Sequence, residues 1–301
     1  MRILFLGNSD ILNRKILPSL HKSKNFKCEL AFRKKIKNNF FVKSYKNYDN
    51  AIKKTKSKLV YISLINSLHF KYCRKALNSN KHVIVDKPLS LNYKKNNELL
   101  NLAKKKRLLL AEAIVFTFNK RFKEFYSSIN FKKKLNIEIF FSIPSLNKDN
   151  FRNYKSQGGG CYNDMSSYAF KCLDLFYKDN LNKFSFTKKL KNKIINSFEV
   201  KIFEKNFNFK SSFEFNSNYK NFIKVKNDKK ILYLPMAFSQ PLNNKLYYKM
   251  NNTKKYFKFE NSFHTFLINI KDTIRLNKNF DKFYNEINRL TKIRKLFEQK
   301  T

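Results

Sequence analysis

Apolar and polar positions along the chain fall into two regimes. As far as residue 113, short apolar runs alternate with amphipathic stretches. Arg2–Leu6, Cys28–Phe32, Lys58–Leu64, Lys81–Asp86 and Leu108–Ala113 read as buried strands, while 11–20, 70–78 and 92–106 repeat apolar residues at helical spacing. Strand, helix and strand at these separations make βαβ units with a parallel sheet. After a connecting helix over 121–130 the period changes to two. Leu135–Pro144, Phe198–Lys205, Phe209–Phe215, Tyr219–Val225 and Lys230–Leu234 alternate and are separated by Asn, Asp and Lys turns, which predicts antiparallel pairing. A helix over 161–177 interrupts this series, and two amphipathic helices, 263–276 and 280–297, close the chain. The expected fold class is α/β, a doubly wound parallel domain followed by an α+β domain on an open sheet.

Composition supports a packed protein. The 301 residues are 42% hydrophobic and include 33 Phe, ample for a buried core. No apolar segment has the length of a membrane span or the layout of a signal peptide, so the expectation is a soluble cytoplasmic protein with no membrane partner. Cys28, Cys73, Cys161 and Cys172 form neither a CxxC motif nor a disulfide framework, and no His, Cys or carboxylate cluster has metal-ligand spacing. A net charge of +44 would ordinarily suggest nucleic acid. Its lysines are scattered from end to end among Asn, Phe, Ile and Tyr, as base-composition drift produces, so nucleic acid is not the expected partner. A phosphorylated cofactor or sugar nucleotide would still be drawn to such a surface.

Candidate chemistry begins with the scarcity of glycine. Three of the four glycines stand together at Gly158-Gly159-Gly160, opening the 161–177 helix. Glycine reaches positive φ and lets a backbone approach a ligand, so this turn is a candidate site. Asp164 and Tyr168, four apart, share one face of that helix. A solvated Asp and a core Tyr are the plain alternative. The fourth glycine, Gly7, ends the first strand and precedes Asn8-Ser9-Asp10-Ile11 and a helix, the layout in which a helix N-terminus receives a pyrophosphate. Ser9 and Leu12 occupy the second and third glycine positions of the GxGxxG fingerprint. The second strand ends in Arg33-Lys34-Lys35, with cations where an NAD site carries an acid, which favours NADP(H) and leaves NAD(H) as the other dinucleotide the layout admits. Pro88 extends Lys87 at the C-terminal end of a strand, where open α/β sheets bind ligands.

Taken together, Gly7 with Asp10, Ile11, Arg14 and Pro18, then Asn66 to His69, then His82 to Pro88, and finally Gly158 to Gly160 with Asp164 and Tyr168 resemble the Gfo/Idh/MocA oxidoreductases. The resemblance implies a Rossmann domain over 1–118 and an α+β substrate and oligomerisation domain over 119–301. On that alignment Gly7, Ser9, Asp10, Ile11, Arg33, Leu64, Asn66, His69, Asp86, Lys87 and Pro88 would line the cofactor, and Arg152, Asp164 and Tyr168 the substrate. Asp86 stands where the family has Glu, and Tyr168 where many members have His, as in the subgroup of glucose-fructose oxidoreductase and the nucleotide-hexose 3-ketoreductases. Sugars or sugar nucleotides are the implied substrates, and a homodimer or tetramer the implied assembly.

Hydride transfer to a carbonyl leaves negative charge on its oxygen, so a proton donor must sit against that oxygen. Tyr168 is the candidate, with the Lys87 ammonium favouring its phenolate and Asp164 orienting the pair or binding a sugar hydroxyl. The reading from another class is a dinucleotide-binding sensor or scaffold without turnover, motivated by the two missing fingerprint glycines.

Overall fold

The computed structural model describes residues 1–21, 23, 25–33, 40–177, 181, 183–240 and 245–300. β1 (Arg2–Leu6) leads to a helical stretch that begins at Asp10 and passes through a wide turn, Leu12–Ile16, into α1 (Leu17–His21). There follow β2 (Lys27–Ala31), β3 (Phe41–Tyr45), α2 (Tyr48–Lys54), β4 (Leu59–Ile62), α3 (His69–Asn78), β5 (His82–Val85), α4 (Tyr93–Lys105) and β6 (Leu110–Glu112). These six strands pair in parallel in the order β3-β2-β1-β4-β5-β6. All four residues of β4 are buried, as are Ile3 to Leu6 of β1, because helices cover both faces of such a sheet. α3 buries His69, Tyr72, Cys73, Ala76 and Leu77, one stripe at three- and four-residue steps.

The chain then enters a second fold. α5 (Lys120–Ser127) and β7 (Leu135–Ile143) precede α6 (Cys161–Phe176), after which come β8 (Ser185–Lys191), β9 (Ile194–Glu204), β10 (Phe207–Phe215), β11 (Lys220–Asn227), β12 (Lys230–Pro235), β13 (Leu246–Met250) and β14 (Thr253–Phe257). Eight strands lie in the order β14-β13-β12-β11-β7-β10-β9-β8. β7 and β10 are parallel and every other adjacent pair is antiparallel, so the antiparallel meander expected from the alternation is broken once, where β10 closes against β7. α6 packs on β9 and β10, with Phe198 stacked on Phe213 beneath it. Lys210, Lys224 and Lys226 alternate outward from buried Phe209, Ile223 and Val225.

α7 (Ser262–Leu276) and α8 (Phe280–Glu298) complete the chain, and no helix among the described residues is long and apolar enough to cross a membrane. Contacts divide the protein into two compact units, 1–114 with 266–299, and 115–265. The closing helices therefore belong almost wholly to the first unit, where the sequence reading had put them in the second. Tyr284 and Ile287 of α8 lie in the core over the parallel sheet, and the Tyr284 hydroxyl donates to the Leu108 carbonyl at 2.7 Å. Amphipathicity announces that a helix needs a partner but does not say which sheet supplies it.

Asparagine does in this chain much of what glycine does elsewhere. Of the ten non-glycine residues with positive φ among those described, six are Asn: Asn80, Asn192, Asn216, Asn251, Asn277 and Asn279. Asn tolerates the left-handed region because its short amide can hydrogen-bond locally. Asn47, Asn92 and Asn119 also cap α2, α4 and α5, each accepting an amide N–H three residues on.

His82 gives the first unit an acid-sensitive joint. Its Nδ1 accepts the Leu109 N–H at 3.0 Å and its ring meets the Phe280 ring edge-on, so the imidazole must be neutral. Burial pushes its pKa down to about 4. A pKa depressed by folding gives stability that is complete above the unfolded value of about 6.5 and lost as pH falls through 4. After allowance for partial exposure, His82 should account for about 2 kcal/mol of acid destabilisation. Urea unfolding at stepped pH should show His82→Gln losing that part of the slope between pH 6.5 and 4; an unchanged slope would contradict the assignment.

Candidate functional site

At the C-terminal edge of the parallel sheet the hydrogen-bond ladder runs on past the strands. The Gly7 N–H donates to Ala31 O, Ser63 N–H to Leu6 O, and Asp86 N–H to Ile62 O, each at 2.9 Å. Gly7, Ser63 and Asp86 thus stand in a row where β1, β4 and β5 end, at the point where strand order reverses. A Cβ on Gly7 would lie 2.2 Å from Ser63 O, and its φ of 95° is left-handed, so glycine is required by the neighbouring strand. Leu64 lies over the same turn, its Cδ2 2.8 Å from that Cβ position.

The residues at these strand ends hold one another. Ser63 Oγ donates to Asp86 Oδ2 at 2.6 Å and the Tyr61 hydroxyl to Oδ1 at 2.7 Å. Loss of water around the Asp86 carboxyl raises its pKa, and the two hydroxyls, His69 and Lys87 oppose the rise. Ser9 Oγ lies 2.6 Å from Ser63 Oγ and accepts the Leu12 N–H at 3.1 Å, capping the helix that starts at Asp10. Asp10 and Ile11 are in the first turn, where amide N–H groups have no acceptor four residues back. Asp10 itself is exposed and its carboxylate is paired with Arg14. Asn66 is buried in the short turn after β4.

His69 does not offer its ring to a ligand. It is fully buried, with Nδ1 2.7 Å from the Pro88 carbonyl and Nε2 3.0 Å from the Leu64 carbonyl, and it clips the loop after β4 to the loop after β5. Burial lowers its pKa. Lys87, half-buried, precedes a cis bond to Pro88. Arg33, exposed beyond the end of β2, lies over the Tyr48 ring at 5.7 Å, while Lys34 and Lys35 fall outside the described residues.

The second unit holds the other candidates. Gly159 and Gly160 let the chain approach itself: a Cβ on Gly159 would lie 2.4 Å from Arg152 O, and one on Gly160 2.5 Å from the Ile194 side chain. The Gly160 N–H donates to Arg152 O at 2.8 Å. Close packing of that turn, where the sequence suggested close approach to a ligand, brings the Arg152 guanidinium against Asp164, Nε to Oδ1 3.0 Å, in a pair whose carboxylate side is buried. One turn further along α6, Tyr168 is half-buried with its ring between those of Phe238 at 5.0 Å, Phe141 at 5.7 Å and Phe116 at 6.1 Å.

Of the sequence-predicted residues, then, Gly7, Ser9, Leu64, His69, Asp86 and Pro88 come together in the first unit, and Arg152, Asp164 and the triple glycine in the second. Ser63 and Tyr61 were missed. Their signal was the two-residue spacing across the end of β4, which puts both hydroxyls on one side of the extended chain. Tyr48 under Arg33 and the phenylalanines around Tyr168 lie far from them in sequence and left no local sign.

Residues 3–113 match the model of the Gfo/Idh/MocA oxidoreductase family, NAD-binding Rossmann fold. Over 190 residues the chain is 26% identical to a dTDP-3,4-didehydro-2,6-dideoxy-alpha-D-glucose 3-reductase of Streptomyces violaceoruber, covering 60% of this chain and 56% of that protein. The chain spans about half the length of the curated relatives it matches. In fold it is similar to KijD10, a 3-ketoreductase from Actinomadura kijaniata crystallised with NADP and TDP-benzene, with a TM-score of 0.86 and 17% identity over 97% of this chain and 94% of that one. An aldose-aldose oxidoreductase from Caulobacter crescentus complexed with glycerol aligns with a TM-score of 0.83 and 14% identity over 99% and 96% of the two chains. Over 3–113 the chain thus matches the NAD-binding Rossmann domain of the Gfo/Idh/MocA oxidoreductases, and its fold, with one parallel and one mostly antiparallel sheet, is similar to that of the solved enzymes over nearly its whole length.

Proposed function

We propose that the chain is an NADP(H)-dependent oxidoreductase that moves a hydride between nicotinamide and a carbonyl of a sugar nucleotide. The observation that carries the reading is the edge of the parallel sheet. There a glycine turn, a capped helix N-terminus and a lysine at a strand end stand together at the switch in strand order. The residues present fit a dinucleotide. Gly7 leaves the turn without a side chain, the Asp10 and Ile11 amides are orphan donors, Arg14 neutralises Asp10, and Arg33 is stacked on Tyr48 where a 2′-phosphate is met in this fold. KijD10, with NADP and TDP-benzene bound, supports both the cofactor and the nucleotide-linked substrate.

The dinucleotide, when bound, supplies or takes up the hydride. In the reductive direction Tyr168 hands its phenolic proton to the carbonyl oxygen, and Lys87 lowers the cost of the phenolate that remains. Phe116, Phe141 and Phe238 hold the Tyr168 ring in an apolar wall that excludes competing water. Asp164, fixed by Arg152, accepts a sugar hydroxyl. Copies of the chain associate through the open face of the eight-stranded sheet, where Phe140, Phe222 and Tyr233 form an aromatic row.

Because the chain has no Trp, NADPH and NADH binding can be followed by cofactor fluorescence. NADPH should bind at least tenfold more tightly than NADH, and Arg33→Ala should remove most of that difference; equal affinities would discard the role of Arg33, and no binding of either would discard the reading. Tyr168→Phe and Lys87→Ala should each lower kcat by about 10²-fold to 10³-fold while cofactor Kd stays within about threefold; wild-type turnover in both would remove the assignment. Arg152→Ala removes an ion-pair partner from a buried carboxylate, so it should raise the KM for sugar nucleotide and cost about 2 kcal/mol in urea unfolding. Unchanged stability and KM would mean that the pair orients nothing. Sedimentation at micromolar concentration should show a dimer or tetramer; a monomer would refute association through the sheet face.

A further inference from the structure

Ser9 stands where the glycine fingerprint has its second glycine, and its hydroxyl is fully committed. Donor and acceptor counts fix the direction of every bond around it. Asp86 is an acceptor when ionised, so Ser63 spends its one hydroxyl hydrogen on Oδ2 at 2.6 Å. Ser63 can then only accept from Ser9, 2.6 Å away, and Ser9, having donated, accepts the Leu12 amide at 3.1 Å. The result is a single chain running one way: Leu12 N–H to Ser9, Ser9 to Ser63, Ser63 to Asp86. Tyr61 closes it by donating to the remaining carboxylate oxygen at 2.7 Å. One end is the first turn of the helix after Gly7, and the other is the residue joined to Lys87.

We propose that Ser9, Ser63 and Asp86 are positioning residues, a polarised hydroxyl relay that couples the dinucleotide turn to the strand end carrying Lys87. The inference rests on the function proposed above for what the two ends do, but the relay itself belongs to the cofactor-free protein. Each link matters in a definite sense. The carboxylate polarises both hydroxyls and so strengthens the cap on Leu12, as charged acceptors do along a chain of hydrogen bonds. Because the Ser9 hydrogen is engaged by Ser63, Ser9 has none left to give a phosphate, and the anion falls to the backbone N–H groups of the turn. Serine at this position is therefore a replacement with a function of its own, and Asp86, one methylene shorter than Glu, is reached by two hydroxyls, one on β4 and one just past its end.

The test begins without cofactor. Hydrogen exchange over residues 8–13 should quicken about tenfold in Ser63→Ala, a residue just past the end of β4, and about as much in Ser9→Ala. The double variant should be no faster than the worse single one, because both break the same chain; additive effects, or no change in Ser63→Ala, would overturn the relay. Ser9→Thr keeps the hydroxyl and should restore protection, and a Thr variant as unprotected as Ala would count against it. With NADPH, Ser9→Gly completes the fingerprint glycine yet should weaken binding by about threefold to tenfold. Tighter binding would refute the proposal. At saturating NADPH, Ser63→Ala should also lower kcat, through Lys87, and an unaltered kcat would remove the coupling. Non-additive exchange in a protein that binds no dinucleotide would keep the relay and discard the function proposed for its ends.

Discussion

A carboxylate drawn out of water at the end of a strand must be given hydrogen bonds, and the first unit is arranged around doing so for Asp86. The strand beside it supplies two hydroxyls, and the register of a parallel sheet brings them there: Tyr61 and Ser63 lie on one face of β4 and its end, level with Asp86 at the end of β5. Gly7 is glycine because Ser63 O occupies the space of its side chain, so the same strand end shapes the turn. His69 then joins the two loops beyond the strands through their carbonyls, with its ring wholly withdrawn from solvent.

The second unit reaches the same end by different means. Its glycines spend their freedom on internal contact, pressing the turn onto the backbone of 151–152 so that a guanidinium can neutralise a buried carboxylate. Three phenylalanine rings pack around Tyr168, which suits a chain with 33 Phe. Composition shapes the whole molecule in this way. Scarce glycine is replaced at left-handed positions mainly by Asn, and abundant lysine is placed on the outward face of the second sheet and along its edge strands β8 and β14. Lysine on an edge also discourages unwanted strand pairing. The net charge is thus absorbed at positions where it costs little.

Much of this was legible in the residues. Buried parallel strands are continuous apolar runs, so β1, β2, β4, β5 and β6 announce themselves to within a residue or two, as do the long helices. β3, β8 and β14 did not, because an edge strand such as Thr253–Phe257 buries almost nothing and carries no apolar period. The parallel closure of β10 on β7 was hidden too, since alternation fixes a strand's faces and not its neighbour. At the candidate site, local geometry was readable: Gly7 before a helix, Lys87 before Pro88, Asp164 four residues from Tyr168. Partnerships between distant segments were not. The Ser9–Ser63 contact spans 54 residues, and the missing fingerprint glycine read as a loss until its neighbour was known.

The central claim is that a hydride passes between nicotinamide and a sugar-nucleotide carbonyl, and isotope transfer tests it most directly. The protein would be incubated with NADPH deuterated at the transferable position and a panel of nucleotide-linked keto-sugars, and the sugar product weighed by mass spectrometry. The account predicts a product one mass unit heavier than that formed with ordinary NADPH, with the deuterium on the carbon that bore the carbonyl. NADPH bound at saturation with no deuterium entering any sugar would contradict it, and would leave a dinucleotide-binding protein without turnover.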